Sequence, residues 1–371
     1  ELIDLKGKCM MPSFLDAHSH ITSYAQALGI VNLSGAKNFS DIVSLLTTYY
    51  QENPNEEVVV GYAYDHNFLE EKKHPTKELL DQIATDIPVM ISHASGHMGV
   101  VNSKALSLLN ITDEVENPEG GLIGKENGKV TGYLEEQCFM QSQRLIKEKT
   151  IDQKLMLLQK AIERYLQYGI TTIQEGIVKE PEWKLLKEAA ERNLLPIDIV
   201  GYVDIKQAPD LFLQHSAYRT YQNRFRLGGY KLFLDGSPQG KTAWLTEPYL
   251  NSGTYCGYPI YQNEEVYHFV KKAYEEQCQL LTHCNGDAAA DQLLATYERL
   301  ERETKAKEFY RPVMIHAQTV RMDQLERMKK IGMIPSFFVA HTYYWGDVHL
   351  HNLGSERARK ISPSQSAIQC G

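Results

Sequence analysis

The feature that most constrains this chain is a regular alternation of strand-like and helix-like segments from Thr150 onwards. Thr150-Ile-Asp-Gln153 resembles a capping box, apolar residues follow at helical spacing, and Gly169 ends the predicted helix. A predicted strand over 170–174 comes next, and the same succession recurs through the rest of the chain. Because strands that alternate with helices form parallel sheets with helical crossovers, the pattern predicts an α/β fold.

The number of strands indicates which α/β architecture to expect. Predicted strands cover 14–17, 170–174, 196–203, 227–234, 279–282, 313–315 and 334–339, and predicted helices between them cover 181–193, 264–278, 288–303 and 322–331. Seven strands, with polar residues at their carboxyl ends, predict a TIM-type (β/α)8 barrel that lacks strand 8. The segment 362–371 resembles one more helix start.

Two segments do not follow this alternation of strands and helices. Residues 30–145 mix helix-like, strand-like and Pro/Gly-rich stretches, and we interpret them as a large insertion after strand 1 that roofs the barrel mouth. Residues 1–12 alternate apolar and polar side chains and meet Gly7 and Pro12, which predicts an edge strand followed by a turn. The predicted organisation is therefore a remnant of a small β-sandwich domain over 1–13 and a barrel over 14–371.

Composition restricts the partners of the chain. Its 371 residues are 43% hydrophobic and 23% charged, as in ordinary globular proteins, and the net charge of −8 gives no support to nucleic-acid or anionic-membrane binding. The six cysteines form no Cys-x-x-Cys pair, no run of ~18 apolar residues is present, and no signal-like region begins the chain. We expect a cytoplasmic protein with a small-molecule ligand; the start at Glu1 leaves an upstream segment open.

The pair His18 and His20 is the first candidate for chemistry. In an extended backbone residues i and i+2 project to the same face, so both imidazoles could reach one metal ion. The alternative is a pair of polar residues that closes a strand. Further imidazoles at strand ends, His283 and His316, strengthen the metal interpretation, because carboxyl ends of barrel strands meet at one mouth.

Lys231 lies in predicted strand 4 within Tyr-Lys-Leu-Phe-Leu. Its apolar neighbours favour a buried ligand over a surface lysine on an edge strand. The imidazoles of His18, His20, His283 and His316, all at ends of predicted strands, predict a metal centre at the same mouth, for which zinc is a suitable ion.

These residues belong to motifs that resemble those of a known family. The chain resembles the amidohydrolase superfamily, in the family 3 branch that includes N-substituted formamide deformylase. The resemblance runs from Asp4 to Gly371 and is carried by these motifs: Pro12-Ser-Phe-Leu-Asp-Ala-His-Ser-His20, Ser95-Gly-His-Met-Gly-Val-Val-Asn-Ser103, Gly120-Gly121 with Thr131-Gly-Tyr-Leu-Glu-Glu136, Lys231-Leu-Phe-Leu-Asp-Gly-Ser237, Thr282-His-Cys-Asn-Gly-Asp287 and Ile315-His-Ala-Gln318.

The resemblance implies one or two divalent ions, most simply zinc. His18 and His20 would bind one ion, His283 and His316 a second, and Lys231 would bridge them as a carboxylated lysine. The family's strand-8 aspartate, which binds metal and accepts a proton from the attacking water, would lie beyond Gly371. The catalytic base is therefore unknown within this sequence. We expect a truncated or incompletely covered chain that hydrolyses poorly as it stands.

Other residues have weaker claims. His97, Glu136 and His341 are candidate substrate-binding residues, against the alternatives of a turn histidine, a solvated glutamate and a structural histidine. Asp235 and Asp287 could orient metal ligands, although aspartate is common at such turns and helix starts. His93 and His97 are four apart, but Ala-Ser-Gly between them forms a poor helix, which excludes the zinc-protease spacing. The histidines of His349-Leu-His351 are predicted to lie in a polar loop without a function.

The sequence suggests three alternative functions. Residues 235–242 resemble a phosphate-binding loop, but an aspartate stands at the first glycine position and no helix is predicted to follow. A non-catalytic metal-binding or regulatory protein on the same barrel remains an alternative. A deaminase or cyclic amidase is a third, against which Lys231 argues. Pro238-Gln-Gly-Lys241 also departs from the family's usual loop.

The expected function is hydrolysis of a carbon–nitrogen bond, in an amide such as an N-formyl or N-acyl amine, by a metal-activated water. Tyr62, Tyr64 and Phe68 suggest an aryl-accepting pocket or, alternatively, core packing. The expected partner is a small-molecule amide, with neither nucleic acid nor membrane, and a homodimer is left open.

Overall fold

The computed structural model describes residues 4–96, 98–118, 121–305 and 308–371. Within these ranges the chain forms two compact units, one of Glu1–His20 with Tyr165–Gly371 and the other of Ile21–Arg164. The second unit contains the segment 30–145. No helix in the described part of the chain is both long and apolar enough to cross a membrane. All six cysteines are free thiols.

The elements of the first part of the chain begin with a short strand. In chain order they are β1 (Phe14–Asp16), α1 (Ile21–Ala27), β2 (Val31–Asn32), α2 (Phe39–Glu52), β3 (Val59–Tyr64), α3 (Lys77–Leu80), β4 (Val89–His93), β5 (Met98–Val101), α4 (Ser103–Leu108), β6 (Gly121–Glu126), β7 (Lys129–Glu136), α5 (Gln137–Ser142) and α6 (Ile151–Gln167).

The rest of the chain alternates strands and helices. The elements are β8 (Ile170–Val178), α7 (Glu180–Glu191), β9 (Asp198–Asp204), α8 (Leu211–Gln214), β10 (Phe225–Phe233), α9 (Asn263–Glu275), β11 (Gln279–Cys284), α10 (Asp287–Thr304), β12 (Val313–His316), α11 (Met322–Ile331), β13 (Ile334–Phe337), α12 (His341–Ala358) and α13 (Ser364–Cys370).

Local sequence signals explain several of these bounds. The capping box ahead of α6 is confirmed, because Gln153 N donates to Thr150 Oγ1 at 3.3 Å and Thr150 N donates to Gln153 Oε1 at 2.9 Å. The helix buries Leu155, Leu158 and Ile162 on one face. Gly332 ends α11 with a φ of 75°, a left-handed conformation that glycine adopts at little cost.

The larger unit is built on a parallel sheet whose strands follow the order of the chain. The order is β1-β8-β9-β10-β11-β12-β13, and every described pair in it is parallel. The predicted α/β fold is confirmed, with seven strands in this sheet among the described residues. The more specific prediction, a TIM-type (β/α)8 barrel that lacks strand 8, stays a prediction.

This sheet is strongly curled. Strands β1 and β12 are five places apart in the sheet order, which in a flat sheet separates them by roughly 24 Å. Yet the rings of His18, two residues after β1, and His316, at the end of β12, have centroids only 5.3 Å apart. The carboxyl ends of the strands therefore converge, as they do at the mouth of a barrel.

The unit Ile21–Arg164 has a separate, mixed sheet in the order β2-β3-β4-β5-β7-β6. Strands β2, β3 and β4 are parallel, and β5, β6 and β7 join them antiparallel. One face packs on a core that includes Ile42, Leu46, Val59 and Leu80. Tyr64 is fully buried in this core, whereas Phe68 is exposed.

Three details of the prediction are wrong. Residues 4–12 form a turn at Lys6 and Gly7 without a strand, because these mostly exposed residues pair with no other described strand; the β-sandwich remnant over 1–13 stays a prediction. Strand β13 ends at Phe337, and His341 begins α12 rather than following a strand. His349 also lies in α12, fully buried, and not in a polar loop.

Candidate metal centre

The first pair of predicted ligands follows β1. The rings of His18 and His20 have centroids 5.4 Å apart. His18 Nδ1 lies 3.4 Å from Gln174 Oε1, an oxygen that can only accept, so Nδ1 carries the proton and Nε2 keeps its lone pair. An imidazole in this tautomer can bind a metal ion through the lone pair of Nε2.

His20 has a carboxylate partner that the sequence analysis missed. Glu175 Oε1 lies 3.6 Å from His20 Nδ1, and the Glu175 side chain is fully buried in β8. Gly176 allows this approach, since a Cβ there would lie 2.8 Å from His20 Cε1. Buried carboxylates beside metal-binding histidines orient the ring and raise its basicity. The signal in the sequence was a carboxylate directly after the predicted strand 170–174.

The second pair lies at the ends of β11 and β12. The rings of His283 and His316 have centroids 4.7 Å apart. Nε2 of His283 lies 3.0 Å from Gly236 O and 3.1 Å from Asn285 Nδ2. With Nε2–H donating to the Gly236 carbonyl, Nδ1 of His283 keeps the lone pair that a metal requires.

His316 occupies an unusual position. Its φ is +73° and that of Ala317 is +46°, both in the left-handed region that residues with a Cβ rarely adopt. Its Nδ1 is buried without a hydrogen-bond partner. Strained backbone and unsatisfied buried nitrogens are both concentrated at functional sites, where a bound ligand supplies the polar contact that the protein itself does not make.

Lys231 is buried among these rings. Its side chain is 1% exposed, and Nζ has no hydrogen-bond partner. The nitrogen lies 5.1 Å from the centroid of the Phe233 ring, which itself lies 5.3 Å from that of His283. Burial lowers the pKa of Lys231 to about 7, so a large fraction of the amine is neutral near neutral pH.

The environment keeps three of the imidazoles neutral. Burial is the main cause that lowers the pKa of His18 to about 3, of His283 to about 4 and of His316 to about 2. The protonated form of Lys231 lowers the pKa of all three further. Metal binding requires deprotonated imidazoles, and these rings already meet that condition at neutral pH.

The structure thus brings His18, His20, Lys231, His283 and His316 to one end of the curled sheet. The donor set suits a divalent ion, because it is rich in neutral nitrogen and contains two orphaned buried nitrogens, Lys231 Nζ and His316 Nδ1. Among the described His, Cys, Asp and Glu residues, however, the three whose ligand atoms all lie within 4.8 Å of one another are Asp65, His66 and His93. Metal ligation by the five predicted residues stays a prediction.

The three candidate substrate-binding residues lie in different parts of the chain. His341 is 4% exposed, and its ring centroid lies 6.0 Å from that of His316, so it borders the cluster although it begins a helix. Burial lowers its pKa to about 4. Glu136 ends β7 in the other unit with an exposed side chain. His97 lies outside the described residues. Substrate contact by any of the three stays a prediction.

Asp235 and Asp287 organise loops. Asp235 is buried and accepts hydrogen bonds from the backbone N–H groups of Trp244, Asn285 and Gly286 at 3.0, 2.9 and 2.7 Å. It lies 3.9 Å from His283 Nε2, too far for a hydrogen bond. Asp287 instead accepts from Thr246 and pairs with Arg321 at 2.9 Å. Both carboxylates therefore fix the loops that follow β10 and β11 rather than the His283 ring itself.

Comparisons with known proteins show what the chain is similar to. The family described as Amidohydrolase family matches residues 1–371. The chain is 25% identical to the putative amidohydrolase YtcJ of Bacillus subtilis and to the N-substituted formamide deformylase of Arthrobacter pascens, in each case over 100% of this chain and 70% of the relative. It is also 25% identical to Protein LONG AFTER FAR-RED 3 of Arabidopsis thaliana, over 97% of this chain.

The chain spans 64% of the length of the Arabidopsis relative. Among solved structures, an uncharacterized metal-dependent hydrolase from Pyrococcus furiosus is similar with a TM-score of 0.76 and 27% identity, over 100% of this chain and 73% of that one. An uncharacterized metal-dependent hydrolase from Pyrococcus horikoshii gives a TM-score of 0.73 and 26% identity, over 97% of this chain and 69% of that one.

Proposed function

Because the chain belongs to the amidohydrolase family, we propose that it is a metal-dependent hydrolase that cleaves the carbon–nitrogen bond of an amide, in an N-formyl or N-acyl amine. The observation that carries this proposal is the group of neutral, buried imidazoles around the unpaired amine of Lys231. A divalent ion, most simply zinc, would act there as a Lewis acid that polarises the carbonyl and lowers the pKa of water.

The residues of the chain have separate roles in this proposal. His18 and His20 would hold one ion through Nε2, with Gln174 and Glu175 fixing the tautomers. His283 and His316 would hold a second. His341 borders the cluster and would contact the substrate or its leaving amine.

Lys231 would become the bridging ligand after reaction with carbon dioxide. The neutral amine forms a nitrogen–carbon bond with carbon dioxide and releases one proton, which leaves an anionic carbamate with two oxygen donors. Its buried position favours this step, because a desolvated neutral amine is nucleophilic and its carbamate would supply anionic oxygen donors to a divalent ion. A mass increase of the intact metal-loaded protein, lost at acid pH, would identify the carbamate.

The function is tested with the metal-loaded chain and with a longer form that extends it by ~100 residues to include the strand-8 aspartate expected from the family resemblance. Both are assayed against N-formyl and N-acyl amines, alkyl and aryl. We expect amine release by the longer form, and a loss of more than about 100-fold in kcat/KM on Lys231→Ala. Metal content with no hydrolysis by either form would favour a non-catalytic metal-binding protein. Equal turnover by the two forms would refute the role of the strand-8 aspartate.

A further inference from the structure

A second group of metal-binding side chains lies in the unit Ile21–Arg164. Strands β3 and β4 are neighbouring and parallel, and Tyr64 at the end of β3 is in register with His93 at the end of β4. Asp65 and His66 follow Tyr64 directly. Because carboxyl ends of parallel strands share one edge of the sheet, these three side chains converge there.

The distances between their ligand atoms resemble the edges of a tetrahedral site. His66 Nδ1 lies 3.3 Å from His93 Nε2, His93 Nε2 lies 3.4 Å from Asp65 Oδ1, and His66 Nδ1 lies 3.9 Å from Asp65 Oδ1. Ligands about 2.0–2.2 Å from a tetrahedral zinc ion are about 3.3–3.6 Å apart. Two edges fall in this range and the third is slightly longer.

We propose that Asp65, His66 and His93 bind a divalent transition-metal ion, with zinc as the best fit, using residues of the unit Ile21–Arg164 alone. Two imidazoles and one carboxylate are a typical zinc set, and they leave a fourth position for water or another ligand. The side chains are 23%, 28% and 10% exposed, so an ion can enter from solvent while the site stays largely covered. The proposal does not depend on the hydrolase function.

The surrounding contacts hold the three ligands in place. Asp65 Oδ1 accepts from Asn67 N at 2.9 Å and from Asn67 Nδ2 at 3.0 Å, which fixes the carboxylate. The His66 ring packs on that of His74, with centroids 4.0 Å apart. His74 Nδ1 in turn lies 3.0 Å from the hydroxyl of the buried Tyr64. The register of β3 and β4 shifts between Gly61 and Tyr64, and Ala63 has a φ of +66° there. A bulge of this kind turns the following side chains toward a site.

Ser95 contacts Nδ1 of His93 and therefore affects which nitrogen of that ring carries the proton. Its N–H donates to His93 Nδ1 at 3.1 Å, which in the metal-free protein leaves the proton on Nε2, aimed at Asp65. An ion at Nε2 requires the proton on Nδ1 instead, where Ser95 Oγ, 3.0 Å away, can accept it. Ser95 is therefore a positioning residue.

The test measures zinc and cobalt binding to the chain and to variants. Inductively coupled plasma mass spectrometry after equilibrium dialysis counts the ions, and Co²⁺ absorption reports their coordination. We expect Asp65→Asn and His93→Gln each to remove one ion per chain, and to weaken binding at this site by more than about 100-fold, since even outer partners of metal ligands are worth 10–100-fold. Ser95→Ala should weaken it by about 10-fold, with Ser95→Thr restoring it.

Controls separate this site from the predicted centre on the parallel sheet. His268→Gln, at an exposed histidine of α9, should leave the ion count unchanged. The double variant His18→Asn/His20→Asn should keep the ion bound by Asp65, His66 and His93 and its cobalt spectrum. Circular dichroism checks that each variant folds.

One result is independent of any variant. An anomalous difference map from zinc-soaked crystals should show a peak within about 2.2 Å of His66 Nδ1 and His93 Nε2. No peak there at saturating zinc, or ion counts that Asp65→Asn and His93→Gln leave unchanged in folded protein, would overturn the proposal. The close imidazoles would then be a hydrogen-bonded pair.

Discussion

At the scale of single residues, Glu175 is the side chain with the clearest consequence for the predicted metal centre. Its buried carboxylate lies 3.6 Å from His20 Nδ1. Glu175→Gln keeps the volume but removes the charge, so we expect metal affinity at His18 and His20 to fall by about 10–100-fold. Titration with zinc against a chromophoric chelator measures this, with Glu188→Gln, at a half-buried position of α7, as control. Equal affinities of the two variants would contradict the role of Glu175.

His349 predicts a pH dependence of stability. Burial beside Gln318 and His341 lowers its pKa, so the folded protein binds a proton there less readily than the unfolded chain, whose histidine has a pKa of about 6.5. The unfolded state then binds more protons as the pH falls through 6.5, and the free energy of unfolding declines.

We expect His349→Gln to flatten this decline between pH 7 and 5, by about 1.4 kcal/mol for each unit of pKa difference. Denaturant unfolding at several pH values measures the slope, which is independent of any constant cost of the substitution. Parallel slopes in the original chain and the variant would show that His349 does not contribute.

At the scale of elements, the start of α10 is fixed by a close backbone approach. A Cβ on Gly286 would lie 1.8 Å from Trp244 O, and the N–H of Gly286 donates to Asp235. We expect Gly286→Ala to lower the free energy of unfolding by about 3 kcal/mol or more, because backbone must move to relieve the clash. Gly346→Ala in α12, where no atom lies within 4 Å of the added Cβ, should change it by no more than about 1 kcal/mol. Equal thermal stability of the two variants would refute this account.

Elements with local signals were predictable from the sequence. Helix α11 has the predicted bounds, 322–331, because apolar periodicity and Gly332 are both encoded nearby. The absence of a strand over 4–12 was not predictable, since a strand forms only where a partner is available. The boundary between β13 and α12 was missed for the same reason.

Prediction of the candidate site from the sequence was limited in the same way, because parts of it depend on which strands pair. The imidazoles and Lys231 were recognisable as candidates because each lies in, ends or closely follows a predicted strand. The position of Glu175 beside His20 depends on the pairing of β1 with β8, and the group of Asp65, His66 and His93 depends on the register of β3 with β4. Neither pairing is visible in a single sequence.

At the scale of the whole molecule, the predicted metal centre and the proposed site of Asp65, His66 and His93 lie in different units, so we expect a stepwise response to chelation. An ion present at 100 times its Kd stabilises the folded state by about 2.7 kcal/mol, so its removal should lower Tm by roughly 5 °C. We expect EDTA to lower Tm of the original chain, and to lower it less in His18→Asn/His20→Asn or in Asp65→Asn. Calorimetry measures this, and a Tm indifferent to EDTA in zinc-loaded protein would contradict metal binding at both sites.

The carboxylate of Asp235 accepts three backbone N–H groups, from the loop after β10 and from the loop after β11. One side chain thereby ties two neighbouring loops to the sheet without occupying the space in front of it. Directed evolution toward new substrates should consequently find position 235 intolerant of replacement, while residues further out along the same loops accept wide diversity. A library that randomises both classes of position would reveal this contrast in the survivors.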